Sequence, residues 1–282
     1  MLGVFKDRQK EQQNQLGNGK VISFMNQKGG VGKTSMAYNT AFALAQRGHK
    51  VLCIDMDPQF NLSLLFGAQN IGKNIFHLMV NSIRELKNLH GGELLSDVLF
   101  NVNENIDLIS SGQELSGFEL TVAGINAPRQ LILKKFIERN DLLKLYDYII
   151  VDGPPTLGLI VVNILCASHG VIFPFIPDSF SQQGLRNIKE VILDIEDMGI
   201  VETPKIVGYI PNLFEGRRKN ANDDLLEIKK EIGEEKVFGP FYNKVHLSKA
   251  LRNKKSVFNY ESADYKELQK QFTDVAQSIE QL

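Results

Sequence analysis

Short apolar segments alternate with longer amphipathic segments along most of this chain of 282 residues. The apolar segments are rich in β-branched residues, as the buried strands of a parallel sheet are. They cover residues 21–25, 51–55, 106–109, 146–152, 170–175 and 205–211. This alternation predicts an α/β fold, in which a mostly parallel twisted sheet carries helices on both faces.

Apolar residues recur at helical spacing in four of the intervening segments, residues 36–47, 128–143, 181–198 and 264–282. Residues 68–127 are less regular. Residues 1–19 are polar and predict a mobile leader. Because no repeat or linker interrupts the rest, we predict one domain over residues 20–282.

A glycine-rich segment, Asn26 to Ser35, lies between the first predicted strand and the first predicted helix. This order lets backbone N–H groups and the positive end of the helix dipole converge on one anion. Lys33 adds a positive charge, and Thr34 adds a hydroxyl for Mg²⁺. The segment fits K-G-G-x-G-K-[ST] but not the commoner G-x-x-x-x-G-K-[ST]. The residues predicted to bind phosphate are Gln27, Lys28, Gly29, Gly30, Val31, Gly32, Lys33, Thr34 and Ser35.

Aspartates follow two of the predicted strands. Asp55 and Asp57 stand at the end of one, and Asp152 ends another. The carboxyl ends of parallel strands meet at the sheet edge where ligands bind, so we expect these groups beside the loop. Asp152, acting through metal-bound water, would hold Mg²⁺ together with Thr34. Asp55 or Asp57 would align a water for phosphoryl transfer.

Composition and residue spacing limit which partners, cell compartment and chemistry we expect for the chain. The formal net charge is -1, so DNA binding would need a local basic patch. Cys53 and Cys166 lie in apolar runs without a C-x-x-C pair, which predicts buried thiols in a reducing cytosol. The histidines lack ligand spacing, and no covalent nucleophile stands out. No apolar run approaches the roughly 18 residues of a membrane span, so we predict a cytoplasmic protein.

Together these segments resemble the ParA family of partition ATPases, within the deviant-Walker P-loop group that includes MinD. The resemblance rests on residues 26–35, on residues 51–59 with Asn61 and Ser63, on residues 146–158 and, more weakly, on residues 245–250. It implies a single P-loop NTPase domain. It also implies an ATPase that uses Mg²⁺, is weak until a partner stimulates it, and forms a homodimer around two ATP molecules.

The resemblance also assigns roles to individual residues. Lys28 would reach across the dimer to the partner's phosphates, and Asp57 would position the attacking water. Asp55 would belong to the switch around the metal. Asn212 and Pro240 would contact the adenine.

ATP-bound dimers of such proteins bind DNA without sequence preference, and a centromere-binding, ParB-like protein stimulates hydrolysis. The implied task is segregation of a plasmid or chromosome, with the protein associated with the nucleoid. A dimer would present two basic strips together and gain by effective concentration. The candidate DNA contacts are Arg217, Arg218, Lys219, Lys244, Lys249, Arg252, Lys254 and Lys255.

The sequence departs from the family in several places. Three positions near residue 250 differ from the residues that are usual in the family. His246 replaces Arg, Lys249 replaces Glu and Leu251 replaces Pro, which changes the DNA surface in detail. Gly153 replaces a commoner Cys. About 20 residues precede the first strand, so we expect no N-terminal helix-turn-helix domain.

Three other functions are compatible with parts of the chain. A MinD-like ATPase that cycles on a membrane would end in a basic amphipathic helix, whereas residues 264–282 are acidic. An electron-transfer ATPase would need paired cysteines for an iron–sulfur cluster, and neither cysteine is suitably placed. An ATPase of the same family that positions a protein cargo instead of DNA remains open.

Overall fold

The computed structural model describes residues 19–68, 72–83, 85–86, 95–178, 181–216, 219–233, 236–242 and 245–282. Within these ranges, the side chains of residues 181–182 and 219–221 are not described. The predicted leader therefore lies outside the described residues, apart from Gly19.

Seven described strands form one sheet. They are β1 (Lys20–Phe24), β2 (Val51–Asp55), β3 (Leu99–Asn101), β4 (Ile106–Ile109), β5 (Tyr148–Asp152), β6 (Gly170–Phe175) and β7 (Lys205–Pro211). Their order across the sheet is β3-β4-β2-β5-β1-β6-β7. The edge strand β3 is antiparallel to β4, and all the other neighbours are parallel. The predicted α/β class is confirmed.

Twelve α-helices occur in the described residues. They are α1 (Lys33–Gln46), α2 (Asn61–Leu65), α3 (Ile75–Asn81), α4 (Leu95–Val98), α5 (Phe118–Thr121), α6 (Ile132–Arg139), α7 (Leu142–Leu145), α8 (Leu159–Ala167), α9 (Ser181–Met198), α10 (Lys219–Ile232), α11 (Val245–Arg252) and α12 (Ala263–Glu280). Short 3₁₀ turns cover Gln113–Gly117, Arg129–Leu131 and Val257–Asn259.

The single helix predicted over residues 128–143 is wrong in its bounds. A 3₁₀ turn, α6 and α7 occupy this stretch instead. Asp141 interrupts it in a left-handed backbone conformation, with φ of 52°. Short polar side chains tolerate this conformation better than most, so the helix can end there. The Tyr146 N–H then bonds the Leu142 carbonyl, and β5 begins only at Tyr148.

The core forms one layer on each face of the sheet. One layer includes the apolar sides of α6, α8 and α9. The other is built largely from α1 and α12. The cysteines belong to these layers as free, buried thiols, as predicted. The sheet is therefore covered on both faces, and the carboxyl ends of its central strands open at one edge.

The apolar stripe of α12 belongs to the core. All five of its predicted members are at most 3% exposed: Tyr265, Leu268, Phe272, Val275 and Ile279. They pack in the layer that α1 shares. Across the described residues, no helix combines the length and apolar character needed to cross a membrane. The stripe is thus a packing surface between two helices of this domain.

An ion pair joins the ends of α1 and α12. The Arg47 guanidinium donates two hydrogen bonds of 2.6 Å to the Glu280 carboxylate, and His49 Nε2 lies 2.7 Å from the same group. The Arg47 hydrogen bonds, aided by His49, lower the pKa of Glu280 to about 2. The unfolded value is about 4.3. The stabilisation of the folded state by this ion pair is therefore complete above about pH 4.3 and is lost as the pH falls towards 2.

Replacing Glu280 with glutamine should lower the urea midpoint slightly at pH 7, because exposed ion pairs contribute little. The difference should shrink at about pH 3, where unfolding of the wild-type protein already takes up a proton at Glu280. Urea unfolding at both pH values measures this. The exposed Glu261→Gln variant is the control. An equal difference at both pH values would contradict the assigned role of the ion pair.

Candidate nucleotide-binding site

The predicted phosphate loop connects β1 to α1. Asn26 fixes its base, because the buried side chain of Asn26 donates to the Pro174 carbonyl at 2.8 Å and accepts from the Lys28 N–H at 2.9 Å. Gly29 and Gly30 are exposed. The first turn of α1 follows directly, with the Met36 N–H bonded to the Gly32 carbonyl. The loop therefore presents open backbone at the amino end of a helix, which is a geometry that binds anions.

Gly32 requires the absence of a side chain. Its φ is 94°, in the left-handed region, and a Cβ there would collide with the Asn212 side chain. The Asn212 amide lies across the loop and donates to the Val31 carbonyl at 2.8 Å. Asn212 Oδ1 is buried and has no partner in the described part of the chain. The residue after β7 thus supports the phosphate loop directly.

Lys33 is the buried cation of the site, with 7% exposure. Its ammonium donates to the Lys28 carbonyl at 3.4 Å, so the side chain curls back under the loop. Burial lowers the pKa of Lys33, while the charges of Asp152 and Asp57 oppose that shift. A bound anion would favour the charged form in the same way.

Asp55 is held by a set of buried hydrogen bonds. Its carboxylate accepts from the Ser63 N–H at 2.8 Å, from the Ser63 hydroxyl at 2.7 Å and from the Asp57 N–H at 3.1 Å. Burial raises the pKa of Asp55 to about 6, although these hydrogen bonds act in the opposite direction. Asp55 therefore fixes the chain that leaves β2, including Asp57.

Asp152 lies beside Asp55, its register partner across β5 and β2. Neither of its fully buried carboxylate oxygens has a hydrogen bond of normal geometry among the described residues. Burial and the charge of Asp55 raise the pKa of Asp152 well above its usual range, while the Thr34 hydroxyl and Lys33 oppose this.

Such a buried, unsatisfied carboxylate beside the Thr34 hydroxyl fits Mg²⁺, a cation that prefers oxygen ligands and keeps several waters. The described residues contain no cluster of three or more His, Cys, Asp or Glu that could hold a metal. A Mg²⁺ ion at a nucleotide site is usually held by one or two protein groups together with phosphate oxygens. Bound Mg²⁺ would neutralise charge on the phosphates.

Asp57 projects into the open part of the site. It is 8% exposed, and its Oδ1 accepts from the Gln59 N–H at 2.9 Å. It lines a cleft of about 560 Å³. The other lining residues are Gly29, Gly30, Gly32, Lys33, Thr34, Ser35, Gln59, Asn61, Leu64, Leu65, Pro155, Leu251, Arg252 and Lys254. The cleft thus contains the phosphate loop and one carboxylate suitably placed to orient a water.

Lys28 is already paired within its own chain. Its ammonium contacts the Asp178 carboxylate, and both side chains are about one-third exposed. Beside it, the Gln27 side chain accepts a hydrogen bond from Asn187 of α9. To reach another molecule, Lys28 must leave Asp178. Asp178 was not predicted from the sequence, although an acidic residue shortly after β6, at the carboxyl edge of the sheet, was a usable signal.

The structure brings the predicted loop residues together with Asp55, Asp57 and Asp152. Asn212 joins them. Pro240 is half-buried, and its carbonyl accepts from Gln271.

The predicted DNA contacts are more dispersed. Arg217, Arg218 and Lys244 lie outside the described residues, and only the backbone of Lys219 is described. Lys249, Arg252, Lys254 and Lys255 are exposed on α11 and the loop after it. Arg252 and Lys254 also line the cleft, which the sequence pattern did not indicate.

The family of the chain follows from comparison with known proteins. The model of the AAA domain family AAA_31 matches residues 19–203. The chain is 30% identical to the chromosome-partitioning ATPase Soj of Treponema pallidum, over 86% of this chain and 91% of Soj. It is 32% identical to the chromosome partitioning protein ParA of Myxococcus xanthus, over 75% of this chain and 71% of that protein. The chain belongs to the ParA family of partition ATPases.

Solved structures share the fold of the chain. A Cyanothece McdA variant in complex with ATP shares the fold of this ParA-family chain with a TM-score of 0.80, at 23% identity, over 94% of this chain and 97% of McdA. Cobyrinic acid a,c-diamide synthase of Mycobacterium smegmatis, with a bound ATP analogue and magnesium, has a TM-score of 0.67 at 27% identity, over 76% and 83% of the two chains. The ParA-family chain is an ATPase whose cofactors are ATP and Mg²⁺.

Proposed function

We propose that this ATPase dimerises on binding ATP, binds DNA without sequence preference and hydrolyses ATP to drive segregation of a plasmid or chromosome. A centromere-binding, ParB-like protein would stimulate hydrolysis and release the dimer from DNA. The observation that carries the proposal is the position of Lys28. Lys28 is half-buried beside the exposed Gly29 of the phosphate loop, and a partly exposed ion pair to Asp178 holds its ammonium. The chain is related to Soj over most of its length.

Within one protomer, each group of the site would have a separate task. Lys33 and the loop amides would hold the phosphates, and Thr34 with Asp152 would hold Mg²⁺. Asp57 would orient the attacking water. Asp55 would act as the switch around the metal, since it already holds the Asp57 backbone and is itself held by Ser63 of α2.

Asn212 and Pro240 would contact the adenine. Asn212 Oδ1 is buried and has no partner among the described residues, which supports this because such an oxygen can accept from a ligand. Gln271 of α12 holds the Pro240 carbonyl at 2.9 Å and so fixes the position of this residue relative to the core.

The surface around the cleft supports dimerisation. Gly29 and Gly30 are exposed, and Leu157 is 41% exposed two residues after Pro155 of the cleft wall. The open glycine backbone and this leucine leave space for a second chain to pack against this face of the cleft. The nucleotide would then lie between two protomers, where each Lys28 could reach the other protomer's phosphates.

The basic residues on and after α11 support DNA binding. Lys249 and Lys255 are exposed and do not line the cleft. Contacts of this kind, made with phosphates, bind DNA independently of its sequence and weaken as salt rises. With the formal net charge near zero, a monomer would bind weakly, and pairing two such surfaces in an ATP dimer would strengthen binding.

Replacing Lys28 with alanine should leave ATP binding by the monomer nearly unchanged but abolish ATP-dependent dimerisation, because the contact across the interface is lost. Binding to nonspecific DNA should fall with it, by about tenfold or more. Light scattering with ATP measures the dimer, and fluorescence anisotropy with a random-sequence duplex measures DNA binding.

The combined Arg217→Glu and Arg218→Glu variant is the contrasting control. It should dimerise with ATP but bind DNA weakly. If the wild-type protein shows no ATP-dependent binding to DNA, the proposed function is wrong. If the Lys28→Ala variant still dimerises, the role given to Lys28 is wrong.

A further inference from the structure

We propose that Arg252 and Lys254 contact the phosphates of the ATP bound in their own protomer. Both line the cleft that contains the phosphate loop and Asp57. Asn212 and Pro240, the proposed adenine contacts, do not line it. The two basic residues therefore share the end of the site where the terminal phosphate would lie. The inference rests on the ATP site and is independent of DNA binding and dimerisation.

The charges of the cleft favour this role. The side chains that line it carry three positive charges, on Lys33, Arg252 and Lys254, and one negative charge, on Asp57. Arg252 and Lys254 are exposed and have no acidic partner among the described residues. Because neither side chain has to break an ion pair with these residues, binding to the negatively charged phosphates of ATP costs them little free energy.

The backbone places a lysine where glycine is favoured. Helix α11 ends with two hydrogen bonds, from the Lys255 N–H to the Ala250 carbonyl at 3.0 Å and from the Lys254 N–H to the Leu251 carbonyl at 2.9 Å. This is the Schellman pattern, whose left-handed position is usually glycine. Lys254 occupies it with φ of 52°. A strained residue at a ligand site suggests a functional use of its side chain.

Hydrogen bonds fasten this strained turn to the phosphate-loop helix. Tyr38 of α1 donates to the Lys254 carbonyl at 3.3 Å. The fully buried Asn39 accepts from the Ser256 hydroxyl at 3.0 Å and from the Val257 N–H at 2.9 Å, and it donates to the Ser35 carbonyl at 2.9 Å. The turn is thus held at a fixed position relative to the residues that bind phosphate.

The Lys254→Gly substitution should stabilise the fold but weaken ATP binding. An effect on binding can therefore be told apart from a loss of folding. Glycine relieves the left-handed strain, so the Tm without nucleotide should rise by about 2 °C. The loss of the ammonium should raise the Kd of a nonhydrolysable ATP analogue about fivefold. The Kd of ADP should change less, because ADP lacks the terminal phosphate. Calorimetric titration with Mg²⁺ present and thermal unfolding without nucleotide give these values.

Arg252→Ala should also raise the Kd of the analogue about fivefold. The matched control is Lys255→Ala, which removes the same charge one residue beyond Lys254 but outside the cleft, and it should change neither Kd. An unchanged Kd for the analogue in both cleft variants would overturn the proposal. If DNA binding fell at the same time, the two residues would belong to the DNA surface.

Discussion

The Lys33→Ala variant should lose ATP binding, with a fall in affinity of about 100-fold or more. The ammonium of Lys33 lies buried beneath the loop, and a charge-assisted hydrogen bond to phosphate in such a place is strong. Among the described residues, its only hydrogen bond is a long one, to the Lys28 carbonyl. Titration calorimetry with ATP and Mg²⁺ measures the loss.

The fold of the Lys33→Ala variant should persist. Because burial already lowers the pKa of Lys33, removing the charge also removes a desolvation cost. Thermal unfolding without nucleotide checks this. Lys144→Ala, at an exposed lysine paired on the surface with Asp141, is the control for loss of a positive charge. Unchanged ATP affinity in the Lys33 variant would refute the phosphate-loop assignment.

The Asp57→Ala variant should bind ATP normally and hydrolyse it about 100- to 1000-fold more slowly, because no carboxylate would orient the attacking water. If the proposed cycle is correct, the ATP-bound dimer should then persist. Steady-state phosphate release and light scattering measure the two effects. The variant tests the catalytic role separately from binding, since the loop amides and Lys33 are unchanged.

A second substitution distinguishes catalysis from loop geometry. Asp57→Asn keeps an acceptor for the Gln59 N–H but removes the carboxylate, so it should be as slow as Asp57→Ala. If the asparagine variant hydrolyses ATP at the wild-type rate, hydrolysis needs the hydrogen bond between residue 57 and the Gln59 N–H but not the charge of Asp57. Hydrolysis that persists in both variants would move the water-orienting role elsewhere, with Asp55 as the next candidate.

Local pattern was enough to predict the elements that position the site. A buried parallel strand needs apolar side chains on both faces, so β2 and β6 were recognisable as nearly continuous apolar runs with the observed bounds. The carboxyl ends of such strands meet at one edge of the sheet, so the sequence pattern alone predicted that Asp55 and Asp152 lie together.

Contacts between distant segments were not predictable in this way. Asn39 meets Ser256 across 217 positions, and Lys28 meets Asp178 across 150. Helical or strand periodicity tells which side of an element is buried but not which remote segment covers it. For the same reason, the basic run after α11 suggested only an exposed charged surface, and its proximity to the phosphate loop required the tertiary fold.

The buried side chain of Asn39 connects the matched AAA domain to the part of the chain beyond it. The matched AAA domain ends at residue 203, yet the partners of Asn39 at Ser256 and Val257 lie beyond that boundary. So does α12, which covers α1. A fragment limited to residues 19–203 would contain every residue of the phosphate loop but would expose the outer side of the helix that carries it. We therefore expect stable ATP binding to need the chain beyond residue 203 as well.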